Sequence, residues 1–563
     1  MQILRFLWLL IPFLTWAQPK VPTDYFRSPV DLEISLSGSF GELRGNHFHS
    51  GLDIRTNYTQ GHPVYATADG YISRIGIGHY GYGKALYILH PNGYTTVYVH
   101  LQRFVGDIQE YTTKQQYKRE SYEIQLYPEA DVLPVKKGEL IGYSGNTGGS
   151  GGPHLHYEIR DGNQRPMNPL LFGYKVADTR KPTIDKLRVY AMSDKAHIDH
   201  QDHNKDLRLT PASDGSYLAE SVEALGKIGF GIAAFDRLNS VENKNGVYRI
   251  ETKVNGEPHH EVRFDKFSFA ETRYINRYID YAHWRESKLK VQKLFREPSN
   301  PLSVISSSAN DGFLEVMENK SYLFDIFVED FAGNVTHIKI PVIGKQRISE
   351  KPEAIMLPGE NYIASKVNAV TKGKFHIYMP ADALYENTYL DFRASNDTLF
   401  LHKDHVPLHK NISVSYDLNA SGLENPDKYF IGRIPDWGKP KHYKTELKNN
   451  KLTINTRDFG DYTLFKDTTP PTVRPINFSD KKWISNNETL RIKIEDDLSG
   501  IASYRATING KFILMEYEYK DDSLTYYFSD NIIKDTENNL KLIVIDNVGN
   551  STTFETTFYR KEL

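Results

Sequence analysis

Two stretches of this chain repeat each other from opposite halves of the sequence, and that repeat limits the fold more than any other feature. Asp178-Thr179-Arg180-Lys181-Pro182-Thr183 and Asp467-Thr468-Thr469-Pro470-Pro471-Thr472 share the pattern D-T-x-x-P-T. Gly246-Val247 leads to Asn255-Gly256, and Gly500-Ile501 leads to Asn509-Gly510, at the same spacing of nine residues. Each copy closes on a strand pattern and a D-x-x-G-N-x-T turn: Phe327-Val328-Glu329-Asp330 with Gly333, Asn334 and Thr336, then Ile543-Val544-Ile545-Asp546 with Gly549, Asn550 and Thr552. A fixed pattern repeated this way implies one structural unit built twice. Short spacing of turn signals and alternation such as Leu490-Arg491-Ile492-Lys493-Ile494 predict Ig-like β-sandwiches for both copies. The first copy is longer, and its surplus includes Tyr274 to Arg296, charged and aromatic without Gly or Pro, which reads as a helical insertion. Asp and Asn at the turns are expected to cap their own backbone rather than to hold Ca²⁺.

Around this repeat the chain divides into a leader at 1–17, a first β-rich segment at 24–175, the first repeat copy at 176–345, a β-rich stretch at 346–466 and the second copy at 467–563. A length of 563 residues suits several such domains. The leader reads MQILRFLWLLIPFLTWA, with Arg5 before an apolar run that stops at Ala17. It is shorter than the roughly 20 residues that span a bilayer, so it reads as a cleavable signal peptide with the mature protein starting near Gln18. The protein is therefore expected to be exported, to the periplasm or cell surface, with no transmembrane segment after cleavage. Lys561-Glu562-Leu563 resembles a retrieval tail only faintly and is read as chance.

Composition narrows the chemistry. There is no cysteine, which excludes disulfides, thiolate-bound zinc, iron–sulfur clusters, a thiol nucleophile and a lipoprotein anchor. Any transition metal must be held by His and carboxylate. Lys+Arg 69 against Asp+Glu 71 supplies no polybasic footprint, so nucleic acid is not an expected partner. Eight of the 20 His fall between His47 and His156, which directs attention to the first segment.

Three patterns meet there. His49-Ser50-Gly51-Leu52-Asp53 sets a ring and a carboxylate four residues apart on what Gly51 and Ile54 suggest is a turn entering a strand. Pro153-His154-Leu155-His156-Tyr157-Glu158-Ile159 alternates as a half-buried strand does, so His154 and His156 share one face. His100 ends a third candidate strand, Tyr94 to Val99. The loop Gly145-Asn146-Thr147-Gly148-Gly149-Ser150-Gly151-Gly152 leaves room for an extended peptide, or simply makes a tight turn. It lacks the Gly-Lys-Ser/Thr ending of a phosphate loop, so no nucleotide is expected. His90 and His62 read as structural or exposed. His47 could line a groove without being catalytic. A polar insertion between Gln102 and Lys136 is either a groove wall or a surface loop.

Together with Asn46-His47-Phe48-His49, Gly61-His62-Pro63-Val64-Tyr65-Ala66, Tyr98-Val99-His100-Leu101, Lys137-Gly138-Glu139-Leu140-Ile141-Gly142 and Gly152-Pro153-His154-Leu155-His156, these residues resemble the lysostaphin-type (LytM-like) zinc metalloendopeptidases, in the secreted multidomain form of Gram-negative bacteria. The resemblance runs from about Gly41 to Leu170, a quarter of the chain. It implies a mainly β protein: an antiparallel β peptidase domain followed by about three β-sandwich domains. It implies one Zn²⁺ held by His49, Asp53 and His156, with His100 and His154 acting on the water and the tetrahedral intermediate. The implied substrate is the peptide cross-link of peptidoglycan, with D-alanyl–diaminopimelate as the bond and stem peptides as the partner. The β domains would position the enzyme or bind wall or an envelope protein. The alternative is a non-catalytic regulator or wall-binding module, whose usual signature is loss of metal ligands.

Overall fold

A computed structural model describes residues 21–239, 241–347, 359–420, 422–435 and 438–561. The leader expected at 1–17, and Glu562 and Leu563 of the C-terminal tail, lie outside the described residues.

The first unit is built on a nine-stranded sheet. Its path runs β1 (Leu36–Gly38), β2 (Leu52–Arg55), β6 (His154–Arg160), β5 (Thr95–Val99), β4 (Lys84–Leu89) and β3 (Gly70–Ile77), with Ile124–Leu126 at the far edge. The pairings within it are antiparallel, which permits one face to pack inward while the other carries polar groups. Along β6, Leu155, Tyr157 and Ile159 are fully buried against Leu52, Ile54 and Tyr98, and the intervening His154, His156 and Glu158 occupy the opposite face. A smaller sheet of Pro63–Tyr65, Leu140–Ser144 and Leu101–Phe104 packs beside it. The polar insertion contains α1 (Gly106–Arg119), closed by Glu120 in the left-handed region.

Three further β units follow, so the protein is mainly β. In the second, the 14-residue strand Val222–Phe235 pairs with both Thr183–Ala191 and Val335–Gly344. Within 274–296, helix is confined to Ile275–Tyr278 and Tyr281–Ser287. The third unit has two five-stranded sheets around a core that includes Phe375, Leu399, Tyr416 and Tyr462. The fourth has a four-stranded and a five-stranded sheet around Ile492, Leu524, Leu542 and Phe558. Alternate residues of Glu537–Asp546 are buried, as a strand with one wet face requires.

The repeat has a visible physical basis. Thr336 Oγ1 donates to the carbonyl of Pro182, and Thr552 Oγ1 donates to that of Pro471. The closing turn of each copy thus pins its own entry strand. Asp330 Oδ1 accepts from Asn334 N at 2.9 Å, and Asp546 Oδ1 accepts from Asn550 N at 2.8 Å, which fixes the two turns identically.

The first and second units share a core. Phe264, Phe267, Tyr278 and Val304 of the second unit belong to the same buried cluster as Phe40, Phe48 and Leu52 of the first. Gly41 turns the chain at φ +77°, and a Cβ there would sit 2.6 Å from the Phe264 ring. Both the backbone angle and the close approach exclude larger residues. Phe264→Ala is expected to destabilise the protein by about 3–5 kcal/mol and to lower the melting of both units together. Denaturation followed by hydrogen exchange checks this; unchanged protection of strands β2 and β6 would contradict it.

Candidate metal centre and active site

Register places the key groups. In the pairing of β2 with β6, Asp53 lies directly opposite His156, and in the pairing of β5 with β6, Val99 lies opposite His156. Opposed residues project to one face, so Asp53 and His156 meet, and His100 follows one residue beyond β5. His100 adopts φ +61°, an unusual conformation for a non-glycine residue, and its ring lies 4.8 Å from that of His154 between centroids. His49 precedes β2 and reaches the same point: its Nε2 is 3.0 Å from Asp53 Oδ1 and 2.9 Å from His156 Nδ1. His156 Nδ1 is 2.9 Å from Asp53 Oδ1. All three residues are buried.

The tautomers follow from the outer partners. His49 Nδ1 sits 2.7 Å from the Ser39 carbonyl, which can only accept, so Nδ1 carries the proton and Nε2 presents a lone pair. His156 Nε2 sits 2.9 Å from Glu158 Oε1, so His156 Nδ1 is likewise the unprotonated nitrogen. With His156 neutral, two lone pairs and a carboxylate oxygen face each other at 2.9–3.0 Å. A cation between them resolves the repulsion. A tetrahedral zinc with bonds of about 2.0 Å sets its ligands about 3.3 Å apart, close to what is seen. The donor set of two imidazoles and one carboxylate suits zinc and leaves a fourth position open. Positive charge is favoured at this point: burial disfavours a charged His156, yet the Asp53 and Glu158 carboxylates lift it to about 9, so a metal bound through Nδ1 would displace a proton there.

The remaining rings face this point from the side. His154 Nδ1 lies 2.8 Å from the Gly152 carbonyl, leaving Nε2 directed at Asp53 Oδ1, 3.4 Å away. His100 Nδ1 donates to the Thr147 carbonyl at 2.8 Å, leaving its Nε2 free to accept. Burial, reinforced by His156 and His154, depresses His100 to about 3, so it is neutral at ordinary pH. His47 is exposed and bonds Asn46, while His90 is tied to the Asp69 carbonyl and Thr96. His62 bonds Thr59. None of these three joins the cluster.

Several supporting groups carry no motif of their own. Glu158 accepts from Ser50 Oγ at 2.7 Å, from Tyr82 and from Arg160 Nε at 2.6 Å. Arg44 Nη2 holds Asp53 Oδ2 at 2.9 Å, which leaves Oδ1 for the cluster. Glu158 follows His156 by two residues, so strand alternation alone puts it on the site face. Tyr82, Arg44 and the Ser39 and Thr147 carbonyls come from distant loops with no sequence signal.

The glycine loop has two parts. A Cβ on Gly148 would meet Gly83 N at 2.3 Å, whereas Gly151 and Gly152 face open space. One end is a packed turn and the other leaves a channel wall beside His154. The fourth unit reaches the packed end, where Tyr519 OH donates to the Gly148 carbonyl at 3.3 Å and Lys520 bonds the Asn146 carbonyl.

A family model described as Peptidase family M23 matches residues 47–116 and 131–169, the segment that carries all five of these His and Asp residues. This segment is a Peptidase family M23 domain. A second model, described as a Zu5-like domain, matches residues 361–467. The DD-carboxypeptidase/endopeptidase Mpg of Neisseria meningitidis serogroup B is 39% identical over 122 residues, 22% of this chain and 22% of its own. The peptidoglycan DD-endopeptidase ShyA of Vibrio cholerae serotype O1 is 32% identical over 150 residues, 26% of this chain and 29% of its own. The chain thus spans less than a third of the length of these curated relatives. A crystal structure of a zinc containing peptidase from Vibrio cholerae is 28% identical, covering 26% of this chain and 39% of its own with a TM-score of 0.19.

Within the M23 domain the orienting role of Glu158 is testable. Glu158→Gln is expected to weaken Zn²⁺ binding about 10–100-fold, with His62→Gln as an unaffected control. Competition against a chromophoric chelator measures this, and equal affinities for wild type and Glu158→Gln would contradict it.

Proposed function

We propose that this chain is an exported zinc metalloendopeptidase that hydrolyses peptide cross-links of bacterial peptidoglycan. The observation that carries the reading is the convergence of the ligand atoms of His49, Asp53 and His156 at 2.9–3.0 Å, beside the rings of His154 and His100. Bound Zn²⁺ would supply Lewis acidity for the scissile carbonyl and acidify a water at the open position.

The chain's own residues do the rest. His100, neutral at ordinary pH, and His154 each present Nε2 towards the attacking water, and the ring that takes its proton returns it to the leaving amine. While it holds that proton the ring is a cation, and its charge steadies the oxygen that becomes negative as the carbonyl carbon turns tetrahedral. Their Nδ1 protons are committed to the carbonyls of Thr147 and Gly152, which holds both rings in the required tautomer. The open edge at Gly151–Gly152 gives an extended stem peptide access to the rings. The substrate reading draws support from the relatives named DD-endopeptidases, which favour the D-alanyl–diaminopimelate bond over a glycine bridge. A location outside the cytoplasm follows from that substrate, and no described helix is long and apolar enough to cross a membrane. The intact ligand set weighs against a regulator that has lost its metal. The β units would position the peptidase on the wall or against an envelope protein.

Digestion of purified sacculi with muropeptide analysis tests the proposal. Wild type should convert cross-linked dimers to monomers. His156→Ala should abolish this with loss of zinc, and His154→Ala and His100→Ala should each lower the rate about 10²–10⁴-fold with zinc retained. Equal dimer content after treatment with wild type and His156→Ala would refute the hydrolase reading.

A further inference from the structure

The two repeat copies each bring three aspartates together: Asp178, Asp236 and Asp330 in the second unit, and Asp467, Asp496 and Asp546 in the fourth. In each trio one carboxylate oxygen per residue lies within 4.8 Å of the others. The members occupy matching places. Asp178 and Asp467 open the D-T-x-x-P-T segments, Asp236 and Asp496 follow the strands Val222–Phe235 and Thr489–Glu495, and Asp330 and Asp546 open the closing turns.

The two trios differ in how their oxygens are used. In the fourth unit the loops answer them. Asp467 accepts from Thr469 N and Ser499 N, Asp496 from Gly500 N and Leu498 N, and Asp546 from Val548 N, Asn550 N and Asn550 Nδ2. In the second unit Asp178 accepts from Arg180 N and Asp330 from Asn334, but Asp236 Oδ1 is buried with no hydrogen-bond partner. Asn245 adds an independent sign. It is 3% exposed, and neither its Oδ1 nor its Nδ2 has a partner. Asn245 and Asp236 exchange both backbone hydrogen bonds at 2.9 Å, so they oppose each other and project to the same face. A buried amide oxygen thus stands unpaired beside a buried carboxylate oxygen that also has no partner.

Leaving such groups unmet in a folded interior is costly. Like charges sharpen the problem. Burial and then the charges of Asp178 and Asp330 push Asp236 up to about 7, and burial with Asp178 also raises Asp330. The leading charges on Asp236 are these two carboxylates, and the Arg237 backbone N–H only partly offsets them.

We propose that Asp178, Asp236 and Asp330, with Asn245 Oδ1, bind one Ca²⁺ ion at the junction between the M23 domain and the second unit. The donors are all oxygen, which selects a hard cation over zinc. Calcium–oxygen distances of about 2.4 Å put opposite ligands about 4.8 Å apart, and the oxygens of this trio lie within that distance of one another. Asp178, Asp236 and Asn245 also border a cavity of about 680 Å³ at the seam with the M23 domain, reached by Phe40 and Leu36, which can supply water ligands. Asp178 lies on the segment that leaves the M23 domain, so the ion ties that linker to the body of the second unit and sets how the peptidase is carried. The fourth-unit trio, each of whose carboxylates accepts at least two hydrogen bonds from its loops, serves as the internal control.

The test is calorimetric titration of zinc-loaded, calcium-free full-length protein with Ca²⁺, paired with thermal melts. Wild type should bind one Ca²⁺ per chain and gain about 3 °C or more at saturation. Asp236→Asn and Asp330→Asn should fold, as judged by circular dichroism and retained zinc, and lose both the heat and the gain. Asp496→Asn should keep both. Without Ca²⁺, Asp236→Asn should melt no lower than wild type, because it removes a buried like charge. Absence of binding to wild type up to about 10 mM Ca²⁺, well above ordinary site affinities, would overturn the proposal. Binding that survives both Asp236→Asn and Asp330→Asn would overturn it equally.

Discussion

The register between strands β2 and β6 is the constraint on which the site depends. It sets Asp53 opposite His156, and a slip of one residue would turn every side chain of one strand to the other face. That slip would bury His154, His156 and Glu158 in the apolar layer now filled by Leu155, Tyr157 and Ile159, so the hydrophobic core enforces the catalytic geometry. The outer partners then refine it. Ser39 and Glu158 each take one imidazole proton, and the two remaining nitrogens are left with lone pairs aimed at the Asp53 carboxylate. Packing brings the groups together, and hydrogen bonding orients a donor set that suits a cation.

The same logic extends beyond the M23 domain. The segment from Phe40 to Phe48, which leads directly into His49, packs against Phe264 and Phe267 of the second unit. Lys290 bonds the Leu43 carbonyl, and Thr272 Oγ1 accepts from Phe48 N. On the other side, Lys84 pairs with Glu516 and Tyr117 donates to Asp530 of the fourth unit. The peptidase domain is therefore held between two β units.

Much of this was legible in the sequence, for reasons that can be stated. Period-two alternation in His154 to Ile159 is a local property, so it assigns a face without knowledge of the fold. The D-T-x-x-P-T and D-x-x-G-N-x-T motifs announced a repeated unit, and the threonine that bonds Pro182 or Pro471 explains why they recur together. What escaped depends on long-range contact. Arg44, Tyr82 and the Thr147 carbonyl act through geometry set by loops far apart in sequence. The aspartates at the turns read locally as caps of their own backbone, which their hydrogen bonds support. Only the tertiary structure shows that they gather into two trios, each drawing on three separated segments, and that one of them leaves buried oxygens unanswered.

The central claim is that His49, Asp53 and His156 hold one zinc with an open position. X-ray absorption spectroscopy of the zinc-loaded protein tests it most directly. The account predicts one zinc per chain in a four-coordinate shell at about 2.0 Å, with scattering from two imidazoles, a carboxylate and one exchangeable light ligand. A shell of waters without imidazole scattering, or an identical spectrum from His156→Ala, would contradict it.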